Sequence, residues 1–584
     1  MFQIDKFHFD KDVPDKLLGL HHGENYVGLN WPIAYIINNK EEAYVGETVH
    51  ASLRAGQHLA NDDRRRLTEI RIISDDNFNK SVILDLEAFL IKHLDADGKF
   101  ILQNGNNGLQ DHDYYQKKTY RKEFERIWES LRQLGVADQT IEEIENSELY
   151  KYSPYKSLGD EQVRAEIEII NALIECHKEG KRSTIIIKGG AGTGKTILGI
   201  YLMKFFADIA LGTNLDLALM EEDTVDEFAA LYSNASLQDI KKIGLVIPQK
   251  SLQTSIKNVF RGVQNLSRDM VLSPADVVKE YNRSGEKFDL LIVDEAHRLK
   301  CRHKGHLSNY RAFDECNRIL NLDKLKGTEL DWLMQCSRNL ILFRDELQTV
   351  RPCDIDSEDF NRITQHKYPA NTYYSELETQ WRCEGGRDYT DYLRQILSCR
   401  QVSRQSIKNY DVKLYRNCNE MVSDIKRLND EIGLCRVVAG YAWKWATKGK
   451  PISKYPDAYD IKIQGHKYRW NTVYDNWIQT ANAVNEIGCI HTVQGYDLNY
   501  TGVIIGEDIK YNPETNEIYA VKENYHDQQG KSGVANDPEG LRNYLTNIYM
   551  TLMTRGIKGT YIYVCDNELR KYFEKYIEVE MRCC

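Results

Sequence analysis

The chain has 584 residues, more than one hydrophobic core supports, so we expect about three or four domains. Its hydrophobic content of 42% and charged content of 28% suit a soluble globular protein. The net charge of −10 excludes a surface coated in basic residues, but it allows a local basic groove for nucleic-acid phosphates.

Cysteine usage and the first residues of the chain indicate the compartment. The 13 cysteines are scattered without a CxxC pair, which favours free thiols in a reducing cytoplasm. The segment MFQIDKFHFDKDVPDK is charged and lacks the apolar stretch of a signal peptide. No apolar run is long enough to span a bilayer. We therefore expect a cytoplasmic protein without a membrane partner.

A β-hairpin followed by a helix is predicted near the N-terminus. Residues 33–37 alternate loosely like a strand, a turn follows, and residues 43–45 form the second strand. The next helix is expected from Thr48, as its N-cap, to Leu59. Arg54 and His58 are four residues apart in it, so they share one helix face.

A second helix is predicted over Ser81–Leu94, with Glu87 in its middle. The residues that follow, Asn104-Gly-Asn-Asn-Gly108, have the chemistry of a loop. A lone glutamate on a helix is usually solvated, and tyrosines in the hairpin could equally be core aromatics. A function for these side chains therefore depends on their acting together.

This set of residues resembles a GIY-YIG nuclease domain. The resemblance is carried by the tripeptides Ile33-Ala34-Tyr35 and Tyr44-Val45-Gly46 and by Arg54, His58, Glu87 and Asn104. One departure is visible, because Ile33 replaces the first glycine of the family pattern. The resemblance implies a small α/β domain that cuts nucleic acid with the help of a metal ion.

The resemblance also implies a role for each side chain. Glu87 would hold a single Mg²⁺ or Mn²⁺ ion, which polarises the scissile phosphate. Arg54 would neutralise charge in the transition state. Tyr44 or Tyr35 would orient or deprotonate the attacking water, and His58 would assist.

A connector separates this region from the rest of the chain. Residues 120–136 have the apolar stripe of an amphipathic helix, and an acidic run follows. The predicted domains are residues 25–110 for the nuclease-like part, 111–154 for the connector, and 155–355 and 356–584 for two further domains. Just after the connector, Gln162 precedes the next strand at the place of a helicase Q-motif, whose glutamine reads the adenine edge.

The segment TIIIKGGAGTGKTILGI (184–200) has the strand, glycine-rich turn and helix of a P-loop. Glycines let the backbone wrap a phosphate chain, and the N–H groups of the turn and of the helix start point toward it. Lys195 would reach the β- and γ-phosphates, and Thr196 would supply an oxygen to Mg²⁺. The predicted nucleotide-binding residues of this loop are Gly189, Gly192, Gly194, Lys195 and Thr196.

A second carboxylate-bearing strand completes the predicted ATP site. The aliphatic run Leu290–Val293 ends in Asp294 and Glu295, which is the Walker B arrangement. Asp294 would hold Mg²⁺ through water, and Glu295 would polarise the hydrolytic water.

The later segments match helicase motifs in order. Gln348 would sense the γ-phosphate, and Arg382 would contact the same phosphate from the second lobe. Gln494 and Gly495 lie at a strand-to-helix turn. Arg555 would be an arginine finger. Residues 441–477 interleave basic and aromatic side chains, which fits either base stacking or ordinary core packing.

Together these motifs resemble a superfamily-one helicase core and, more narrowly, the helicase-like domain of the Schlafen group, over residues 155–565. The resemblance implies an α/β chain in which a GIY-YIG domain precedes two RecA-like parallel-sheet domains. It further implies an ATP- and Mg²⁺-dependent nucleic-acid motor, with DNA favoured over RNA, that is coupled to an endonuclease. We hypothesise a role in antiviral defence, with a homo-oligomer or a defence-system protein as partner.

Three alternatives stay open at this point. The ATPase could be a switch that gates the nuclease without unwinding. The protein could instead be an RNA-processing nuclease and ATPase. Finally, the N-terminal domain could be an inactive binding module attached to an ATPase.

Overall fold

Runs of buried aliphatic and β-branched residues form the strands of this protein. The structure is a computed structural model that describes residues 2–22, 25–104, 114–155, 158–190, 192–212, 234–302, 310–345, 353–368, 370–379, 383–448, 455, 457–473, 477–480, 482–493, 497–531 and 537–580. The chain divides into two compact units. The first comprises Met1–Ile174, Thr196–Leu245 and Thr254–Val271, and the second comprises Glu175–Lys195, Val246–Gln253 and Leu272–Cys584.

A five-stranded sheet in the first unit has the strand order β1-β6-β4-β5-β7. The strands of the first 104 residues are β1 (Gln3–His8), β2 (His21–His22), β3 (Asn25–Tyr26), β4 (Ile33–Asn38), β5 (Glu42–Thr48), β6 (Glu69–Ser74) and β7 (Ile101–Leu102). The helices are α1 (Val13–Leu18), α2 (Val27–Asn30), α3 (Ala51–Ala60), α4 (Lys80–Asp97), α5 (Lys117–Gln133), α6 (Ile141–Glu145), α7 (Glu148–Lys151) and α8 (Asp160–Lys178). Every residue of β4 is buried, as expected for the middle strand of a covered sheet.

The predicted hairpin is confirmed, with longer strands than the sequence pattern indicated. Strands β4 and β5 pair antiparallel, with Tyr35 opposite Gly46. The following helix begins at Ala51 with His50 at its N-cap position, so the prediction of Thr48 as the cap is wrong. The Thr48 hydroxyl instead accepts a hydrogen bond from the His50 amide, at 3.0 Å, in the turn before the helix.

Helix α4 is longer than the predicted Ser81–Leu94. It begins at Lys80 because the Asn79 side chain caps it by accepting the Val82 amide, and it ends at Gly98, whose φ of 71° stops the helix. The polar residues near its C-terminal end are buried, so the periodicity of apolar residues understates its length.

The side chain of Asn104 extends the sheet where β7 ends. Its oxygen accepts the Val45 amide at 3.0 Å, and its NH₂ group donates to the Val45 carbonyl at 2.8 Å. One side-chain amide thus satisfies both the N–H and the C=O of Val45 just beyond the last paired residue of β7. Asn104 is 5% exposed, so neither bond is readily replaced by water.

A six-stranded sheet follows, with the order β10-β9-β11-β12-β8-β13. Its strands are β8 (Ser183–Gly189), β9 (Ile243–Val246), β10 (Val271–Leu272), β11 (Phe288–Val293), β12 (Ser337–Arg344) and β13 (Asn371–Leu377). The neighbours β11, β12, β8 and β13, all in the second unit, run parallel. The helices of this stretch are α9 (Lys195–Ala210), α10 (Ala235–Gln238), α11 (Lys250–Gly262), α12 (Pro274–Ser284), α13 (Tyr310–Ile319), α14 (Glu329–Cys336) and α15 (Ser357–Arg362).

The last third of the chain carries a second parallel sheet, of order β14-β22-β19-β15-β18. The strands here are β14 (Asp411–Tyr415), β15 (Cys435–Ala439), β16 (Ile461–Ile463), β17 (His466–Tyr468), β18 (Ile487–Cys489), β19 (Leu498–Ile505), β20 (Ile509–Asn512), β21 (Glu517–Ala520) and β22 (Gly556–Val564). The helices are α16 (Gly386–Leu397), α17 (Cys418–Ile432), α18 (Ile490–Val493), α19 (Gln528–Lys531), α20 (Pro538–Met553) and α21 (Asn567–Glu574).

The fold is therefore α/β with two parallel sheets after an N-terminal α/β region, as predicted. Trp470 and Trp477 are fully buried in the core of the last sheet, so core packing accounts for these two aromatics of the basic–aromatic segment. Among the described helices, we find none whose length and apolar character would let it cross a bilayer.

We expect Asn104→Ala to lower the free energy of unfolding by about 1–3 kcal/mol, because it leaves the buried amide and carbonyl of Val45 without their partner. Chemical denaturation measures the change. Glu41→Gln, at an exposed position of the neighbouring turn, is the control and should change little. An Asn104→Ala protein as stable as its parent would contradict this role.

Candidate active sites

The hairpin of β4 and β5 brings the two predicted tyrosines to one face of the first sheet. Tyr35 and Tyr44 are both buried, with ring centroids 6.2 Å apart. Gly46 lies opposite Tyr35, and a Cβ atom added there would come within 2.3 Å of the Tyr35 hydroxyl oxygen. Glycine is therefore required at position 46, because any larger residue would overlap the Tyr35 side chain.

His58, on α3, packs against both tyrosines. Its Nε2 lies 2.7 Å from the Tyr35 hydroxyl, and its ring centroid lies 4.9 Å from that of Tyr44. His58 is completely buried. Burial, with the charges of Arg64 and Arg54, lowers the pKa of His58 to about 2, so the ring is neutral near pH 7.

Arg64 is a member of this cluster that the sequence pattern did not reveal. Its guanidinium lies 3.7 Å from the centre of the Tyr44 ring, and its Nη1 lies 3.2 Å from His58 Nδ1. It is the first of three consecutive arginines, a run that would ordinarily be assigned to a solvated surface. The run of three consecutive arginines was the feature of the sequence that could have indicated this side chain.

Burial dominates the chemistry of the tyrosines. It raises the pKa of Tyr35 well above its usual range, and Tyr44 adds to the effect while Arg54 opposes it. Burial likewise raises the pKa of Tyr44, against the opposing charge of Arg64. Arg54 is half-buried and its Nη1 donates to Gln57 at 3.1 Å.

Two carboxylates occur together on the α4 side of the hairpin. Burial and the neighbouring Glu47 raise the pKa of Glu87 to about 8, against the charges of Lys80 and Arg54. Lys80 donates to both carboxylate oxygens of Glu47, at 2.7 and 2.8 Å. Carboxylate oxygens such as that of Glu87 are the hard donors that divalent cations take in proteins.

The P-loop lies between β8 and α9. Gly192 and Gly194 have φ values of 80° and 78°, a backbone region that favours glycine. At Gly189, an added Cβ would come within 2.6 Å of the Thr193 hydroxyl. Lys195 donates to the carbonyls of Gly189 and Gly190 at 2.7 and 2.6 Å, which holds its ammonium over the turn. Glycines with positive φ and a lysine held at the turn are features that phosphate-binding loops share.

Two carboxylates follow β11, and the second of them, Glu295, contacts a histidine and an arginine. Asp294 is buried, and its Oδ1 accepts the Glu295 amide at 3.0 Å. Glu295 has a left-handed backbone, with φ 53°, and its Oε2 lies 3.0 Å from both His297 Nε2 and Arg298 Nε. Burial alone would raise the pKa of Glu295, but His297, Arg298 and Lys195 lower it well below its usual range. Glu295 is therefore a carboxylate at neutral pH.

A cleft of about 270 Å³ lies against the P-loop. On the β8 side it is lined by Lys188, Gly189, Gly190 and Thr193. Helices α16 and α20 and the residue after α20 contribute Arg387, Thr390, Asp391, Arg394, Met550, Thr551 and Thr554. Arg387 and Arg394 are seven residues apart on α16 and so share a face. Their helical spacing is visible in the sequence, although neither arginine belongs to a helicase motif.

The remaining predicted ATP-site residues have different surroundings. Arg555 is 2% exposed and is not among the residues that line this cleft. Gln162, near the start of α8, is buried, and its side-chain oxygen accepts the Gly159 amide at 3.0 Å. Thr196 is the second residue of α9. Gln348, Arg382, Gln494 and Gly495 lie outside the described residues.

The hydroxyl of Thr196 and the carboxylate of Asp294 are hard oxygen donors of the kind that Mg²⁺ takes in nucleotide sites. Within the described part of the chain, no group of three or more histidine, cysteine or acidic residues is arranged to hold a metal ion by protein ligands alone.

We expect Gly46→Ala to destabilise the first sheet by about 1–3 kcal/mol, because the methyl group overlaps the buried Tyr35 side chain. Gly56→Ala is the matched control. Gly56 lies inside α3 with open space around its Cβ position, so alanine there should stabilise the protein by about 0.5–1 kcal/mol. Chemical denaturation of both variants checks the pair, and equal effects would contradict the steric argument.

Comparison with known proteins finds a relative in yeast. The chain is 25% identical over 410 residues to a Saccharomyces cerevisiae protein described as "Uncharacterized protein YPL245W". The aligned part covers 66% of this chain and 82% of the yeast protein.

Solved helicase structures also match, at low similarity. Pif1 helicase from Bacteroides, in complex with ADP-AlF3 and ssDNA, is 12% identical and covers 68% of this chain and 91% of its own, with a TM-score of 0.25. S. cerevisiae Dbp5 bound to RNA and ADP BeF3 is 12% identical and covers 74% of this chain and 92% of its own, with a TM-score of 0.31.

One family model matches more than half of the chain. Residues 182–566, which run from β8 to the end of the last parallel sheet, match the model of the Schlafen group 3 DNA/RNA helicase domain. The match includes the P-loop, the carboxylates after β11 and the cleft beside them. This chain therefore belongs to the Schlafen group 3 DNA/RNA helicase domain family.

Proposed function

We propose that the protein is an ATP-dependent nucleic-acid motor coupled to a metal-dependent endonuclease that acts on DNA. The observation that carries the proposal is the presence, in one chain, of a P-loop ATP site and a second cluster of two tyrosines, a histidine, two arginines and paired carboxylates. The proposed domains keep the boundaries 25–110, 111–154, 155–355 and 356–584.

At the ATP site, Lys195 would leave the loop carbonyls and bind the β- and γ-phosphates. Thr196 and Asp294 would hold Mg²⁺, which neutralises the phosphate charge when bound. Because neighbouring cationic groups hold the pKa of Glu295 well below its usual range, its carboxylate would accept a hydrogen bond from the hydrolytic water. The further residues that we propose for this site are Gln162, Gly189, Gly192, Gly194, Gln348, Arg382, Gln494, Gly495 and Arg555.

At the nuclease-like site, Glu87 would hold Mg²⁺ or Mn²⁺ with Glu47 beside it. The ion would supply Lewis-acid activation of the scissile phosphate. Arg54 would neutralise charge on the phosphate, and Tyr35 or Tyr44 would contact the attacking water. His58 would support the tyrosine that does so.

The partner in this proposal is DNA, in the cytoplasm, and the biological role is antiviral defence with a homo-oligomer or a defence-system partner. RNA is the competing substrate. Competition between single-stranded RNA and single-stranded DNA for the full chain decides between them, since tighter RNA binding would favour an RNA-processing enzyme.

The first experiment measures cleavage of single-stranded, duplex and forked DNA with Mg²⁺ or Mn²⁺, with and without ATP. We expect wild type to cut, Glu87→Gln to abolish cleavage, and Lys195→Ala to change only its dependence on ATP. Glu41→Gln, at an exposed acidic residue, is the control for the loss of one carboxylate and should cut normally. A wild type that hydrolyses ATP but cuts nothing would contradict the nuclease half and favour an inactive binding module.

A second experiment separates a motor from a switch. We expect Glu295→Gln to lower ATP turnover by about 10²–10⁴-fold, because it removes the base that orients water while leaving nucleotide binding intact. ATP hydrolysis and strand displacement are measured on the same preparations. If Glu295→Gln cuts DNA in an ATP-dependent way, ATP binding alone gates the nuclease, and a motor is not required.

A further inference from the structure

Each ring nitrogen of the buried His58 faces one side chain. Nε2 lies 2.7 Å from the Tyr35 hydroxyl oxygen, and Nδ1 lies 3.2 Å from Arg64 Nη1. His58 is 0% exposed, so water does not compete readily for either nitrogen. The directions of these two hydrogen bonds therefore determine where the ring carries its proton.

Arginine determines both directions. A guanidinium has only donors, so the bond between Arg64 and His58 runs from Nη1–H to Nδ1. A neutral imidazole whose Nδ1 accepts carries its hydrogen on Nε2. The Nε2–H group must then donate to the oxygen of Tyr35.

Arg64 is itself held in place. Its guanidinium stacks on the Tyr44 ring, with 3.7 Å between the guanidinium carbon and the ring centre, an attractive cation–π arrangement. The next two arginines behave differently, because Arg65 is mostly exposed beside Asp62 and Arg66 pairs with Glu42 at the surface. Only the first arginine of the run turns toward the tyrosines.

We propose that Arg64 is a positioning residue that sets the tautomer of His58, so that His58 donates to Tyr35 and Tyr35 directs its own hydroxyl proton away from the histidine. This inference rests on the proposed nuclease function for its catalytic meaning. His58 then cannot take a proton from Tyr35 or from water, since one nitrogen is occupied by Arg64 and the other already carries hydrogen.

The tautomer has a chemical consequence for Tyr35. A hydrogen bond received by the phenolic oxygen stabilises negative charge there. It leaves the hydroxyl hydrogen for an acceptor other than His58. Of the two tyrosines proposed to contact the attacking water, this arrangement selects Tyr35, while Tyr44 holds the arginine.

The test is nitrogen NMR of the full chain labelled with ¹⁵N-histidine, with His58→Gln used to assign the signal. We expect a protonated Nε2 and an unprotonated, hydrogen-bonded Nδ1 in wild type. Arg64→Met should abolish this single-tautomer signature, Arg64→Lys should restore it by keeping a donor, and Arg65→Met, one residue on, should leave it unchanged. A proton on Nδ1 in wild type, or a signature unaffected by Arg64→Met, would overturn the inference.

Cleavage kinetics then test the catalytic meaning. Arg64→Met should lower kcat by about 10–100-fold with little change in KM, the usual cost of losing a group that orients a histidine. Arg64→Lys should recover most of that loss, and a loss of kcat no greater than that of Arg65→Met would overturn the catalytic meaning. If wild type has the expected tautomer but cuts nothing, the proposed nuclease fails and the hydrogen-bond assignment stands.

Discussion

A donor fixed on one nitrogen of a buried histidine determines what the other nitrogen can do, and this constraint occurs in both candidate sites. In the P-loop domain the Asp345 amide donates to His297 Nδ1 at 3.2 Å, so Nε2 carries the hydrogen that faces Glu295. In the first unit the Arg64 guanidinium has the same relation to His58. Both histidines are completely buried, and in each the partner of one ring nitrogen determines whether the other nitrogen can donate or accept a hydrogen bond.

The parallel sheet explains why the ATP-site groups lie near one another. In the sheet β8 is hydrogen-bonded to β12, and β12 to β11, and the three run in the same direction. The carboxyl ends of parallel strands meet at one edge, where ligands of such sheets bind. The glycine turn, Asp294 with Glu295, and Asp345 therefore come together through strand order alone, although about 150 residues separate the first of them from the last.

The sequence alone predicted the structural features that only a few residue types can form. The glycines of the P-loop, the buried strands and the hairpin followed from periodicity and spacing, and the structure has them. The prediction of Thr48 as the helix N-cap failed because its hydroxyl accepts a hydrogen bond from the His50 amide in the turn before the helix. Arg64 was missed because stacking on Tyr44 joins residues twenty positions apart, which no local pattern encodes. Trp470 and Trp477 are the reverse case. The composition of their segment suited base stacking, but both side chains are buried in the core of the last sheet.

The close approach of Tyr35 to Gly46 means that the two positions cannot vary independently. A residue with a side chain fits at position 46 only if position 35 holds a smaller residue than tyrosine, for instance a small aliphatic one. Such an exchange would also remove the hydroxyl that His58 faces, so a chain that accepted it would keep the sheet and lose the Tyr35–His58 hydrogen bond. Among relatives, a non-glycine residue at position 46 would thus mark domains that retain the fold as a scaffold.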